Sequence, residues 1–142
     1  MAAWPLQING LAGTHLRIMM NIPYLLTARY TPRGRQFPFV DCWGYVLEVR
    51  RQLGGPPLPA LEGVFRDEAD LAARSVMPLL TACGAQHGAL VLCHVSGLLT
   101  HVAIAVTVNA QLYITDCRPH CHAVFTPYRQ FCELNNNLRF MR

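Results

Sequence analysis

The stretch Phe37-Pro38-Phe39-Val40-Asp41-Cys42-Trp43-Gly44-Tyr45-Val46-Leu47-Glu48-Val49-Arg50-Arg51-Gln52-Leu53-Gly54-Gly55-Pro56-Pro57 carries a helix with both of its ends marked. Asp41 is an N-cap residue whose carboxylate can accept from the first free backbone N–H groups, and Gly54, Gly55 and two prolines make a stop. Cys42, Val46, Val49 and Leu53 fall at i, i+4, i+7 and i+11 and share one face, while Glu48, Arg51 and Gln52 lie largely away from it. Cys42 thus stands at the N-terminal end of a buried face. There the orphan N–H groups and the positive end of the helix dipole favour a thiolate over a thiol. A cysteine so placed is a nucleophile or a buried free thiol. Gly44, one turn in, has no side chain and leaves room for a neighbouring strand to bring a base close to the sulfur.

Working outward, Leu6 to Met20 carries an imperfect helical pattern weakened by Gly10 and Gly13. Ile22-Pro23-Tyr24 reads as a turn into an extended segment, and Tyr30 to Pro38 as a loop leading to the cysteine. Beyond the central helix, Gly54 to Gly63 is a proline-rich loop and Asp67 to Met77 a short helix with acids in its first turn. From Gly88 the period changes. Ala89 to Val95, Leu98 to Val106 and Gln111 to Thr115 are β-rich runs separated by Ser96-Gly97 and Val108-Asn109-Ala110, an antiparallel meander. His120 to Phe125 and Arg139 to Met141 add short strands. In the second run His101, Ala103 and Ala105 alternate with Val102, Ile104 and Val106, which puts a histidine above two small residues. That alanine face is expected to receive the central helix and bring His101 towards Cys42, a cysteine–histidine pair suited to nucleophilic catalysis.

Asp41-Cys42-Trp43-Gly44-Tyr45-Val46, preceded by Ile22-Pro23-Tyr24 and a Gly/Arg-rich segment, resembles the NlpC-type cell-wall hydrolases, papain-like cysteine peptidases that cut bacterial peptidoglycan peptides. His101-Val102-Ala103-Ile104-Ala105-Val106 resembles the family's histidine strand, where glycine often stands at the position of Ala103. The tryptophan after the cysteine, where many members have serine, is similar to the branch found in phage tail-assembly proteins. The resemblance runs from roughly Leu11 to Pro127. It implies an α+β, papain-like core with helices packed on a small antiparallel sheet, residues 1–142 forming one hydrolase domain. It also implies Cys42 as nucleophile, His101 as base, and the Cys42 N–H with the Tyr24 hydroxyl as oxyanion donors, although Tyr24 reads equally well as a core aromatic. The orienting third residue, normally histidine, asparagine or glutamine on the next strand, falls in Leu112-Tyr113-Ile114-Thr115-Asp116. Alignment of the apolar pair favours Thr115. Chemistry favours Asp116, whose carboxylate would steady an imidazolium, and Asp116 is preferred. Successive strand residues face opposite ways, so only one of the two should point at His101 unless the strand bends.

The resemblance thus points to a cysteine peptidase or amidase acting on peptidoglycan stem peptides. It would work beside other tail-tip or baseplate proteins of a phage or phage-like particle, with no cofactor; the alternative is a structural tail-tip protein whose hydrolase site is vestigial. At 142 residues, 52% hydrophobic and 14% charged, the chain suits one folded domain with a substantial core. The net charge of +4 is spread, with only Arg33-Gly34-Arg35 and Arg50-Arg51 as small groups, so no nucleic-acid stripe is expected. Met1-Ala2-Ala3-Trp4-Pro5 is no export leader, and no run approaches the roughly 18 apolar residues that span a membrane. Synthesis in the bacterial host cytoplasm without a signal peptide, and residence in the virion tail tip, are the expectation. The six cysteines are read as reduced thiols. Cys117-Arg118-Pro119-His120-Cys121-His122 is dense in soft ligands, but its spacing is not a tight CxxC and no metal is assigned to it.

Overall fold

In the computed structural model, which describes residues 20–63 and 69–142, the Asn21 side chain accepts the Tyr24 backbone N–H and opens one helical turn, α1 (Ile22–Leu25). An extended segment was expected here, but Pro23 sits in the first turn, where its missing N–H costs nothing. The helix expected from Leu6 to Met20 falls outside the described residues apart from Met20. In and around the loop expected from Tyr30 to Pro38 the chain forms three two-residue strands, β1 (Arg29–Tyr30), β2 (Arg35–Gln36) and β3 (Phe39–Val40), in the order β1-β3-β2. Two residues are too few to show an alternation. This small sheet delivers the backbone to Asp41.

Helix α2 (Cys42–Gln52) has the expected bounds and cap: Asp41 is extended, and its Oδ1 accepts the Gly44 N–H at 2.9 Å. Val46, Val49 and Leu53 are buried, whereas Arg51 is exposed and paired with Glu48. The next helix, α3 (Ala69–Val76), runs into a 3-10 turn at Met77–Leu79; Asp67 and Glu68 of the expected helix lie outside the described residues.

The meander is present and longer than its β-rich runs. Strands β4 (Leu90–Val95), β5 (Leu98–Val108), β6 (Gln111–Arg118) and β7 (His122–Pro127) are antiparallel neighbours, and β8 (Asn137–Met141) adds to the free edge of β4, giving the order β7-β6-β5-β4-β8. Val108 belongs to β5 and pairs with Gln111, so the turn is only Asn109-Ala110, both at positive φ, as a two-residue hairpin requires. Helix α4 (Tyr128–Leu134), which the sequence reading left out, follows β7. The architecture is therefore α+β, with helices on both faces of an antiparallel sheet.

Strand parity sorts the core into two layers. Leu90, Leu92, Val102, Ile104 and Val106 face α2 and pack with Tyr45, Val46 and Val49. Val91, Cys93, Ala103, Ala105 and Ile114 form the opposite layer, with Phe131 of α4 seated on them. The expected placement is thus reversed: the alanines receive the bulky Phe131, not α2. Alternation shows which residues share a face, and it is silent on which helix covers that face. Among the described residues no helix is long and apolar enough to cross a membrane.

Candidate functional site

Cys42 is the first residue of α2, half-buried, with its backbone N–H in the turn that has no intrahelical acceptor. Asp41 is buried and fixed twice, by the Gly44 N–H and by Arg35, whose Nη1 donates to Asp41 Oδ1 at 2.7 Å. Gly44 is needed for a different contact from the one expected. A Cβ there would run into the Gly34 carbonyl oxygen and press on Val40 at 3.1 Å, so it is the β1–β2 loop and β3, and not the strand of His101, that require the missing side chain. The Asp41 N–H donates to the same Gly34 carbonyl, at 3.3 Å.

His101 shares parity with Ala103 and would point away from α2 on a regular strand. Its neighbourhood is irregular. Between β4 and β5 the register changes from Cys93–His101 to His94–Leu99, which leaves Thr100 as an extra residue beside the histidine. Such a bulge bends the strand and re-aims adjacent side chains. The β5–β6 ladder runs from Val108–Gln111 to Ile104–Thr115, so His101 stands beyond its last pair. From this position the imidazole comes close enough to Cys42 for the sulfur to raise its pKa, lines the same cavity as Cys42, and holds Asp116 Oδ2 on Nε2 at 2.8 Å.

Asp116 is 1% exposed and accepts two hydrogen bonds on Oδ2, from His101 and from Arg118 Nε at 2.6 Å. With the carboxylate accepting, Nε2 carries the proton, and Nδ1 is the nitrogen available to Cys42. Burial of His101 disfavours the imidazolium, but hydrogen bonds to Asp116 and Cys42, with their charges, outweigh it and raise its pKa above the ordinary value. Thr115 faces the other way, as parity requires. Its hydroxyl donates to the Val124 carbonyl at 2.8 Å and accepts from the buried Tyr45 hydroxyl at 2.6 Å, tying the sheet to α2. Of the two candidates for the third position, Asp116 is the one that meets His101.

Tyr24 is not brought to the thiol. It is 41% exposed, stacks on Phe37 with ring centroids 4.6 Å apart, and borders a surface hollow with Arg51 and Gln52. Those residues lie nine or more positions further along α2 than Cys42, roughly 13 Å at the helical rise. Tyr30 stands instead on β1 opposite Val40, two residues before Cys42. Arg118 was also missed, although Asp116 and Arg118 at i and i+2 of one strand must share a face.

The cysteine-rich segment disperses. Cys117 is buried, faces the Val40 carbonyl and has its pKa pushed up to about 12 by burial; Cys121 is exposed, and His122 accepts the Tyr30 N–H at 3.1 Å. Among the described residues no three metal-ligating side chains converge. No known protein family, curated protein or solved structure matches the chain. The site must therefore be read from its own geometry.

Proposed function

We propose that the protein is a cysteine peptidase or amidase with a papain-like core, acting on peptidoglycan stem peptides as part of a phage or phage-like tail tip. The observation that carries this reading is the series of Cys42 at a helix start, His101 beside it on the same cavity, and the buried Asp116 on the imidazole Nε2. A thiol, a base and an orienting carboxylate in that order are what nucleophilic acyl transfer requires. His101 takes the thiol proton as Cys42 attacks the carbonyl carbon, then returns it to the departing amine; water repeats the sequence to release the acid. The Cys42 N–H is available to the oxyanion. Substrate and setting rest on the resemblance of Asp41-Cys42-Trp43-Gly44 to the tail-assembly branch of the NlpC-type hydrolases.

A structural tail-tip role with a vestigial site is the second reading. It draws support from the exposed apolar side chains Phe39, Val95, Leu98 and Leu134, which neighbouring subunits would cover. Digestion of purified peptidoglycan by wild type and by Cys42→Ala, with mass analysis of the fragments, decides between them. The hydrolase reading expects fragments from wild type alone. Equal release by both proteins, or none by either, would overturn it.

A further inference from the structure

Two unlike recesses meet at His101. One, about 80 Å³, is bordered by Cys42 and His101 and walled by Ala73, Val76, Met77, Leu80, Leu92 and Leu99. Its charged lining residues Arg35 and Asp41 neutralise each other in a buried pair. The other is bordered by His101 but not by Cys42, and is walled by His94, Ser96, Arg118 and the run Asn135, Asn136 and Asn137. Arg118 there has its Nε on Asp116, while its side chain is 39% exposed.

The chemistry gives each recess its half of a substrate. When the amide is cut, the bond from Cys42 Sγ to the acyl carbon forms as the carbon–nitrogen bond breaks, and the thiol proton passes through His101 to the amine. The acyl group stays on the sulfur and must sit where Cys42 borders the space. The amine leaves from the side that His101 borders alone. Resting on the hydrolase reading, we infer that this site selects an amide whose acyl residue carries a small aliphatic side chain and whose amine-side residue is polar or anionic. An acidic acyl residue would lose its hydration in a recess where, among the described residues, the one arginine is already paired with Asp41. At 80 Å³ the recess is about half the size of a cavity that holds benzene (~150 Å³), which suits an alanine- to leucine-sized group and excludes a long chain. Within a stem peptide this favours a bond whose carbonyl belongs to alanine over one whose carbonyl belongs to the acidic residue.

The test uses two activated esters of one leaving group, p-nitrophenyl 4-methylpentanoate and p-nitrophenyl hydrogen glutarate. Acylation of Cys42 is followed by intact mass, and each rate is divided by that of glutathione with the same ester. At least a tenfold preference for the aliphatic ester is expected, and Leu99→Glu should erase it once each protein's acylation rates are divided by its own rate of alkylation by iodoacetamide. Equal rates, or faster glutarylation of wild type, would overturn the inference whatever Leu99→Glu does. Peptidoglycan digestion run alongside keeps the two readings apart. A preference without digestion retains the pocket assignment and ends the hydrolase reading, and digestion without a preference does the reverse.

Discussion

Asp116 and Thr115 are adjacent on one strand and serve opposite sides of the sheet: Asp116 Oδ2 is 2.8 Å from His101 Nε2, and Thr115 Oγ1 is 2.6 Å from the Tyr45 hydroxyl. Replacing each should therefore have a different effect. Asp116→Ala is expected to lower kcat by roughly a hundredfold to ten-thousandfold with little change in KM, because the carboxylate acts as the imidazolium forms. Thr115→Val should leave kcat per folded molecule near wild type. It should cost about 1–3 kcal/mol of stability by leaving the buried Tyr45 hydroxyl without its acceptor. Steady-state kinetics with denaturant melts separate the two, and a kcat loss in Thr115→Val matching that of Asp116→Ala would refute the assignment.

Gly44→Ala is expected to destabilise by about 1–3 kcal/mol, the range for overpacking. Alanine's better helix propensity, worth up to about 1 kcal/mol, does not offset this, because the atom in the way is the Gly34 backbone carbonyl, which is itself bonded to the Asp41 N–H. A thermal melt unchanged from wild type would show that the loop yields freely.

Asp41→Ala removes the cap of α2 and the partner of Arg35 together. The cap alone is worth about 1 kcal/mol, and Arg35, with its side chain 9% exposed, would be left with backbone carbonyls as its acceptors. A loss of about 2 kcal/mol or more is expected. Asp41→Asn, which keeps a capping oxygen, should lose less, and urea titration of both variants gives the ranking.

The histidine predicts a pH dependence. His101 has a folded pKa raised above the ordinary 6.5, so the folded state holds its proton more tightly than the unfolded chain does. Its stabilising contribution is complete below pH 6.5 and is lost as pH rises through the raised value. In a Cys42→Ala background, which leaves Asp116 as the carboxylate partner of His101, stability should fall from pH 6 to pH 9 more steeply with Asp116 than with Asp116→Asn. Parallel profiles would mean that Asp116 does not hold the imidazolium.

How much of this was legible depended on how local the signal was. Asp41 and Gly54 bracket α2 through contacts within a few residues, and the meander shows as β-rich runs punctuated by turn residues such as Ser96-Gly97 and Asn109-Ala110. Helix α4 has no side-chain cap at its start, where Pro127 stands, and β1 to β3 are two residues each, so neither left a pattern. The approach of His101 to Cys42 was expected for a wrong reason. Alanine suggested a close helix, whereas the juxtaposition depends on an extra residue at Thr100, a register fact that one strand's sequence does not contain. The choice between Asp116 and Thr115 was likewise a matter of parity, settled only once the strand's partners were known.

The edge strand β8 sets an order of events for a chain being made. β4, which supplies Leu90 and Leu92 to the layer under α2, is paired on one side by β5 and on the other by residues 137–141, and Thr81 exchanges backbone hydrogen bonds with Arg142. Until residues 137–141 have been made, the far side of β4 is an unpaired edge, and the wall of the recess beside Cys42 is braced from β5 alone. Helix α2, complete some ninety residues earlier in synthesis, would spend that interval beside an unfinished sheet. The walls around Cys42 are thus complete only once β8 has paired with β4, later in synthesis than the strands that carry His101 and Asp116.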